Sequence, residues 1–233
     1  MRVKTTITKN IKAYLVAMGA QEERTLNVEG MSLLRGRPGE GKTWGTAFVC
    51  NRVNGVFVRA LRTWSTSSML AAMVNELGGK PSRFINPMFD FVVKQLKVTR
   101  RCLFIDEADY LTENMIDVVR DIYDLSRRPI VMIGMDDITR SLATNERFMR
   151  RITQEVHFKP LDSTDTRLVC DDVCTVQVAD DLLAKLHTES GGNIGLVSTG
   201  LYKIERLAKN ANSDSVDLAA WGQRRLFFDS RSV

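Results

Sequence analysis

The octapeptide Gly36-Arg37-Pro38-Gly39-Glu40-Gly41-Lys42-Thr43 constrains this chain more than any other stretch. It fits G-x-x-x-x-G-K-[ST], the pattern of a phosphate-binding loop between a strand and a helix. The flanks agree. Met31-Ser32-Leu33-Leu34 reads as a short buried strand, and Thr46-Ala47-Phe48-Val49 as the start of a helix. Glycines let such a loop turn its backbone N–H groups inward on a phosphate. The helix that follows adds its positive N-terminal end. Lys42 is placed to reach the β- and γ-phosphates of a nucleotide such as ATP, and Thr43 to hold Mg²⁺ through its hydroxyl. Gly36, Arg37, Pro38, Gly39, Glu40, Gly41, Lys42, Thr43 and the following Trp44 are therefore the candidate nucleotide-binding residues. A glycine-rich turn can match the pattern by chance, so a second motif is needed.

Arg101-Cys102-Leu103-Phe104-Ile105-Asp106-Glu107 supplies it. An apolar run bounded by charge is the mark of a central parallel strand, covered on both faces. Acidic residues at its carboxyl end lie where ligands bind in open α/β sheets. Asp106 would help hold Mg²⁺, and Glu107 would orient and deprotonate the water that attacks the γ-phosphate. An acidic pair can also simply begin a surface loop, but the pair of motifs is more specific than either half. Asp136, after the apolar run 129–134, is a third polar candidate near the γ-phosphate, with capping of the next helix as the favoured alternative.

The rest of the chain alternates strand-like and helix-like segments up to Pro160. A helix is expected from Thr8 to Met18, a polar linker over 21–27, and a strand over 55–60. Ser65-Thr66-Ser67-Ser68 should cap a helix through Leu77, and Asn86-Pro87 should open another. A helix over 114–125, a strand over 129–134, helical pieces over 137–143 and 146–152, and a short strand at 156–158 complete the pattern. Such alternation implies a parallel α/β sheet flanked by helices. Beyond Pro160 only helices are expected, opened by Asp162-Ser163-Thr164-Asp165, then over 179–190 and 194–209. The expected division is 1–160 for the α/β domain, 161–211 for a small helical lid, and 212–233 for a tail. Trp221 and Leu226-Phe227-Phe228 should dock part of that tail.

Composition narrows the function classes. Hydrophobic residues make up 44% and charged residues 26%, as in ordinary globular chains. No apolar run approaches a membrane span, and the N-terminus lacks the apolar core of a signal peptide, so a cytoplasmic location is expected. Cys170 and Cys174 could share a helix face, but no second ligand pair accompanies them, which speaks against a metal site. The net charge of +5 is unevenly spread: residues 1–160 carry +8 and residues 161–233 carry −3. Residues 59–101 hold eight basic side chains against Glu76 and Asp90, a balance that suits a polyanion or a merely solvated face. Arg147, Arg150 and Arg151 form another basic cluster. Arginine's fork of donors suits phosphate oxygens, so a finger reaching a neighbouring subunit's nucleotide competes with a plain surface cluster.

Gly36 to Thr43, Leu103 to Glu107, the Arg147–Arg151 cluster and Ser190-Gly191-Gly192-Asn193 together resemble an AAA+ ATPase over about residues 1–210. Within that superfamily, Pro129 to Met135 and the Gly-Gly-Asn motif look most like phage Mu transposition protein B and the TnsC proteins. The resemblance implies an ATP-dependent regulator of DNA transposition, forming rings or filaments on double-stranded DNA and contacting a transposase. It implies ATP held between subunits and hydrolysed to ADP and phosphate, with Arg151 or Arg150 acting in trans. It also implies DNA contacts after the second strand, for which Arg59, Arg62, Lys80 and Arg83 are candidates without sequence specificity. One departure matters. Many such lids carry an arginine sensor after Gly-Asn-x, whereas Asn193-Ile194 is followed here by Gly195. Arg206 and Lys203 are the available substitutes. Slow hydrolysis, or a switch driven mostly by binding, is expected only from this departure. Rival readings are a helicase loader of the IstB or DnaC type and a nucleotide-switched signalling module without DNA.

Overall fold

The computed structural model describes residues 1–227 except Val3, Leu26 and Thr144. The order of elements begins α1 (Lys9–Glu23), β1 (Met31–Arg35), α2 (Lys42–Arg52), β2 (Val56–Arg59), α3 (Thr66–Glu76) and α4 (Ile85–Thr99). It continues with β3 (Leu103–Asp106), a 3-10 turn over Ala108–Tyr110, α5 (Glu113–Ser126), β4 (Ile130–Gly134), α6 (Ile138–Ala143), α7 (Glu146–Met149) and β5 (Ile152–His157). Then follow α8 (Ser163–Val173), β6 (Gln177–Val178), α9 (Asp180–Ser190), α10 (Ile194–Asn210), β7 (Ser215–Val216) and α11 (Leu218–Trp221). Contacts divide the chain into two compact units. One comprises residues 13–37 and 42–158; the other comprises 1–12, 38–41 and everything from Lys159 onward.

The first unit is a five-stranded parallel sheet in the order β2-β3-β4-β1-β5, as the alternating pattern implies. Its inner strands β1, β3 and β4 are buried on both faces while the edge strands β2 and β5 are partly exposed, and side-chain alternation sends successive residues to opposite layers. Leu33, Ile105 and Met132 face a core built with α3, α4 and α5. Leu34, Phe104, Val131 and Ile133 face the other, where Tyr14 and Met18 of α1 and Val49 of α2 cover them. Tyr14 meets Phe158 edge-on, ring centroids 6.0 Å apart. The strand order sets β1 beside β4, with β3 next, so the loop after β1 and the carboxyl ends of β3 and β4 lie at one edge of the sheet.

Some boundaries differ from expectation. α1 runs on to Glu23 because Met18 and Gln21 are buried against the sheet unit, so the polar composition of 21–23 does not end it. The helical piece expected over 146–152 stops at Met149: Ile152 instead begins β5, paired with Met31. Arg150 is thus only the C-cap and Arg151 lies beyond the helix.

The second unit is helical around its own core, which includes Leu182, Leu186, Val197, Leu201, Trp221 and Leu226. It also contains two strands the sequence pattern did not announce. β6 and β7 are two residues each and pair in parallel. Segments so short carry no readable alternation. Trp221 and Leu226 of the tail are buried as expected; Phe228 lies outside the described residues. Among the described residues no helix is long and apolar enough to cross a membrane.

Candidate nucleotide site

In the sheet unit, β1 delivers the chain to Gly36 and Arg37, and α2 starts at Lys42. The Lys42 ammonium donates to the carbonyls of Gly36 at 2.5 Å and Arg37 at 3.0 Å. Thr43 Oγ1 donates to Asp106 Oδ2 at 2.9 Å, which joins the two sequence motifs across 63 positions. The other carboxylate oxygen of Asp106 accepts the Glu107 N–H at 3.0 Å. Burial pushes the Asp106 carboxyl above its usual range, and the Thr43 and Glu107 bonds pull the other way. A divalent cation would favour the ionised form. Hard oxygen donors side by side, Thr43 and Asp106, fit Mg²⁺, which binds one or two protein groups and completes its shell with phosphate and water. Among the described residues no cluster of three or more His, Cys, Asp or Glu could hold a metal ion by itself.

Glu107 follows Asp106 in left-handed backbone, φ 55° and ψ 38°. Such geometry costs a non-glycine residue about 1–2 kcal/mol, and it turns this side chain away from the strand. Its Oε1 accepts from Arg59 Nη2 at 2.9 Å, and Arg59 Nε lies 3.9 Å from Asp106 Oδ2. Arg59, a candidate DNA contact by sequence, is therefore engaged at the acidic pair instead of standing as an unpaired surface cation. The register explains this: Arg59 and Asp106 are direct neighbours on β2 and β3.

Among the described residues, Asp136 has no bond to the following helix. Its carboxylate sits 3.1 Å from His157 Nε2, with Arg35 and Arg37 at 3.7 and 3.6 Å. Sequence reading overlooked Asp109, whose Oδ2 accepts the Met135 N–H at 2.9 Å and ties the 3-10 turn to the end of β4. Burial raises its carboxyl too. Its position two residues past Glu107 was the available signal. Trp44, beside the loop, is 70% exposed.

The arginine cluster separates into different roles. Arg151 forms a fork with Asp124 of α5, Nε to Oδ1 at 2.6 Å and Nη2 to Oδ2 at 2.5 Å. The Arg150 side chain is 81% exposed, and among the described residues its ion-pair partner is Glu146 at 3.8 Å. Arg151 is thus committed within its own chain, and Arg150 is the one presented outward. Of the remaining candidate DNA residues, Arg62 lies over Tyr110 at 5.2 Å and Arg83 over the exposed Phe84 ring at 4.7 Å, while Lys80 is exposed. Arg101, counted in the basic stretch, spends its guanidinium on the carbonyls of Asn54 and Gly55.

In the helical unit, Pro38 to Gly41 lie against the start of α10. Gly39 and Gly41 have φ of 78° and 88°, values that favour glycine. Asn193 Nδ2 donates to Pro38 O at 2.9 Å and the Gly195 N–H to Gly39 O at 3.1 Å. Glu40 is buried. Neither Arg206 nor Lys203 has a described bond to the loop; Lys203 donates to Leu226 O at 2.6 Å. Cys170 and Cys174 are both buried in this unit's core.

Comparison with known proteins is consistent with this geometry. The family model described as AAA domain matches residues 26–142. Solved structures with a similar fold include Cdc6p from Pyrobaculum aerophilum (TM-score 0.70, 14% identity, 92% of this chain and 66% of that one). Others are the Aeropyrum pernix ORC1 protein in complex with DNA (0.65, 15%, 91% and 62%) and the ORC2 protein of the same organism in ADPNP–ADP complexes (0.71, 15%, 94% and 68%). This chain spans about two thirds or less of the first two. No curated protein matches its sequence. With the family model covering half its length, the chain belongs to the AAA domain family.

Proposed function

We propose that this chain is an ATPase that assembles on duplex DNA when ATP and Mg²⁺ are bound, and that it regulates DNA transposition in the manner of TnsC and Mu transposition protein B. The observation that carries the nucleotide part is the 2.9 Å bond between Thr43 and Asp106, with Glu107 beside it. In this reading Gly36 to Trp44 hold the nucleotide, and Thr43 and Asp106 hold the cation. The cation would neutralise phosphate charge. Lys42 supplies further positive charge, and Glu107 takes the proton of the attacking water. That water needs a free carboxylate oxygen, and the Arg59 guanidinium restrains one of the two. Slow turnover in the resting state follows. Arg150 is the arginine best exposed to act on a neighbour's nucleotide. The domain division at 160 and 211 is part of the same proposal.

The DNA part is supported by the basic excess of residues 1–160, by the exposed Arg62, Lys80 and Arg83, and by the DNA bound in the ORC1 complex. Contacts of this kind grip phosphates without reading bases. A transposase is the protein partner the resemblance favours. The experiment is electron microscopy and sedimentation of the protein with linear duplex and a non-hydrolysable ATP analogue. Assemblies on DNA that require nucleotide and vanish in Lys42→Ala support the reading. A protein that stays monomeric at saturating nucleotide and duplex contradicts it. Stimulation of a co-encoded transposase, rather than loading of a helicase, would establish the partner.

A further inference from the structure

Asn193 was singled out only as part of a motif, and the nucleotide chemistry above does not use it. Its surroundings are built with care. Gly191 and Gly192 have φ of 57° and 73°. A Cβ on Gly192 would come within 2.3 Å of Leu161 O, so only glycine lets this turn seat against Leu161, whose N–H donates to Gly192 O at 2.8 Å. Ser190 closes the turn, its carbonyl accepting the Asn193 N–H at 3.1 Å. The turn therefore delivers the Asn193 side chain to one place. There the two ends of its amide do different work. Oδ1 caps α10, accepting the Leu196 N–H at 3.1 Å, and Nδ2 donates to Pro38 O at 2.9 Å. The Gly195 N–H, in the first turn of α10, takes the next carbonyl, Gly39 O, at 3.1 Å.

We propose that Asn193, with the Gly195 N–H, is a positioning residue that orients the phosphate-binding amides of the loop by holding its carbonyls. The reason is the planar trans peptide. The C=O of Pro38 and the N–H of Gly39 belong to one peptide plane and point in opposite directions; so do the C=O of Gly39 and the N–H of Glu40. Two carbonyls fixed on the outer side of the loop aim two N–H groups inward. Gly39 gains a second reason to be glycine, at a position the motif leaves free: a Cβ there would lie 2.5 Å from the Asn193 amide atoms. Gly195 is likewise fitted to its place, since a Cβ on it would be 3.2 Å from Asn193 Oδ1. Within this unit the start of α10 thus holds residues 38–41 through their carbonyls.

This inference rests on the loop being the nucleotide site, and the test separates the two. Asn193→Ser keeps a good helix cap but is too short to reach Pro38 O. Gly195→Pro removes the second donor in a first helical turn that tolerates proline, and its ring also crowds Gly39 O and Asn193 Oδ1, so it disrupts the same contact by a different route. Each is made in the full chain and titrated with a fluorescent ATP analogue and with ADP, alongside thermal melting and steady-state hydrolysis. The expected result is a Kd about fivefold to tenfold weaker for both nucleotides, as for one lost hydrogen bond. KM should rise with kcat nearly unchanged, because the grip acts on ground and transition states alike, and the melting midpoint should stay near that of the unaltered protein. A purely structural role would lower melting and leave nucleotide affinity alone. Unaltered affinity in both variants overturns the inference while the nucleotide reading stands. An unaltered chain that binds neither nucleotide overturns both.

Discussion

At the residue scale the site is defined by which charges meet. Lys42→Ala should remove nucleotide binding altogether, measured by titration with a fluorescent ATP analogue, because no other described ammonium donates to the Gly36 carbonyl at the mouth of the loop. Arg59 makes a sharper prediction. A guanidinium bonded to Glu107 occupies one of its two carboxylate oxygens and holds the side chain in place. Arg59→Ala should therefore free that oxygen for the attacking water and raise DNA-free ATP hydrolysis by about threefold to tenfold. It should leave affinity for duplex within about twofold of the unaltered protein, whereas charge reversal at Arg62 and Arg83 should lower both affinity and its salt slope. Loss of DNA binding in Arg59→Ala with hydrolysis unchanged would return Arg59 to the DNA surface. Arg150 and Arg151 divide in the same way. Arg151→Ala strands Asp124 and should lower stability by about 1 kcal/mol. Arg150→Ala should cost less than about 0.5 kcal/mol and depress turnover only in assembled protein.

At the scale of elements, legibility followed signal length. The caps were plain in sequence: Ser65 accepts from the Ser68 N–H while Ser68 returns a bond to the Ser65 N–H, the reciprocal box that starts α3. Ser65→Ala should lower stability by about 1 kcal/mol, read from a urea midpoint shift without a change in slope. Asp162 opens α8 by the same device, its Oδ1 accepting the Asp165 N–H at 2.8 Å. The short pieces were not legible. α7 has four residues and gives way to β5 because Ile152 finds Met31 as a partner across the sheet. β6 and β7 exist only because residues 177–178 and 215–216 meet. A strand of two residues is a product of pairing and has no pattern of its own to read.

At the scale of the whole molecule, each unit has its own core and its own sensitivities. In the sheet unit Phe158 is buried against Tyr14, and Phe158→Ala should cost about 3–5 kcal/mol through the cavity it leaves. In the helical unit Glu205 is buried; burial raises its carboxyl, but bonds from Lys209, the Met1 amino group and Thr175 outweigh that and bring it down to about 2. A carboxyl depressed on folding adds stability above its unfolded value near 4.5, and that stability is lost as pH falls toward 2. Thermal melting followed from pH 5 to pH 2 should show this loss, and Glu205→Gln should flatten the profile there. The amino-acid sequence alone determined the sheet and the phosphate loop, because alternation, caps and the spacing of Gly36 to Thr43 act over a few residues. It also marked Asp106 and Glu107 at a strand end. Only the tertiary structure decided that Arg59 serves Glu107, that Arg151 answers to Asp124 while Arg150 stays exposed beside Glu146, and that Asn193 holds the loop at Pro38. Those pairings span 27 to 155 positions. Spacing along the chain says nothing about which of several arginines a given carboxylate will meet; that follows from strand order and from where each helix ends.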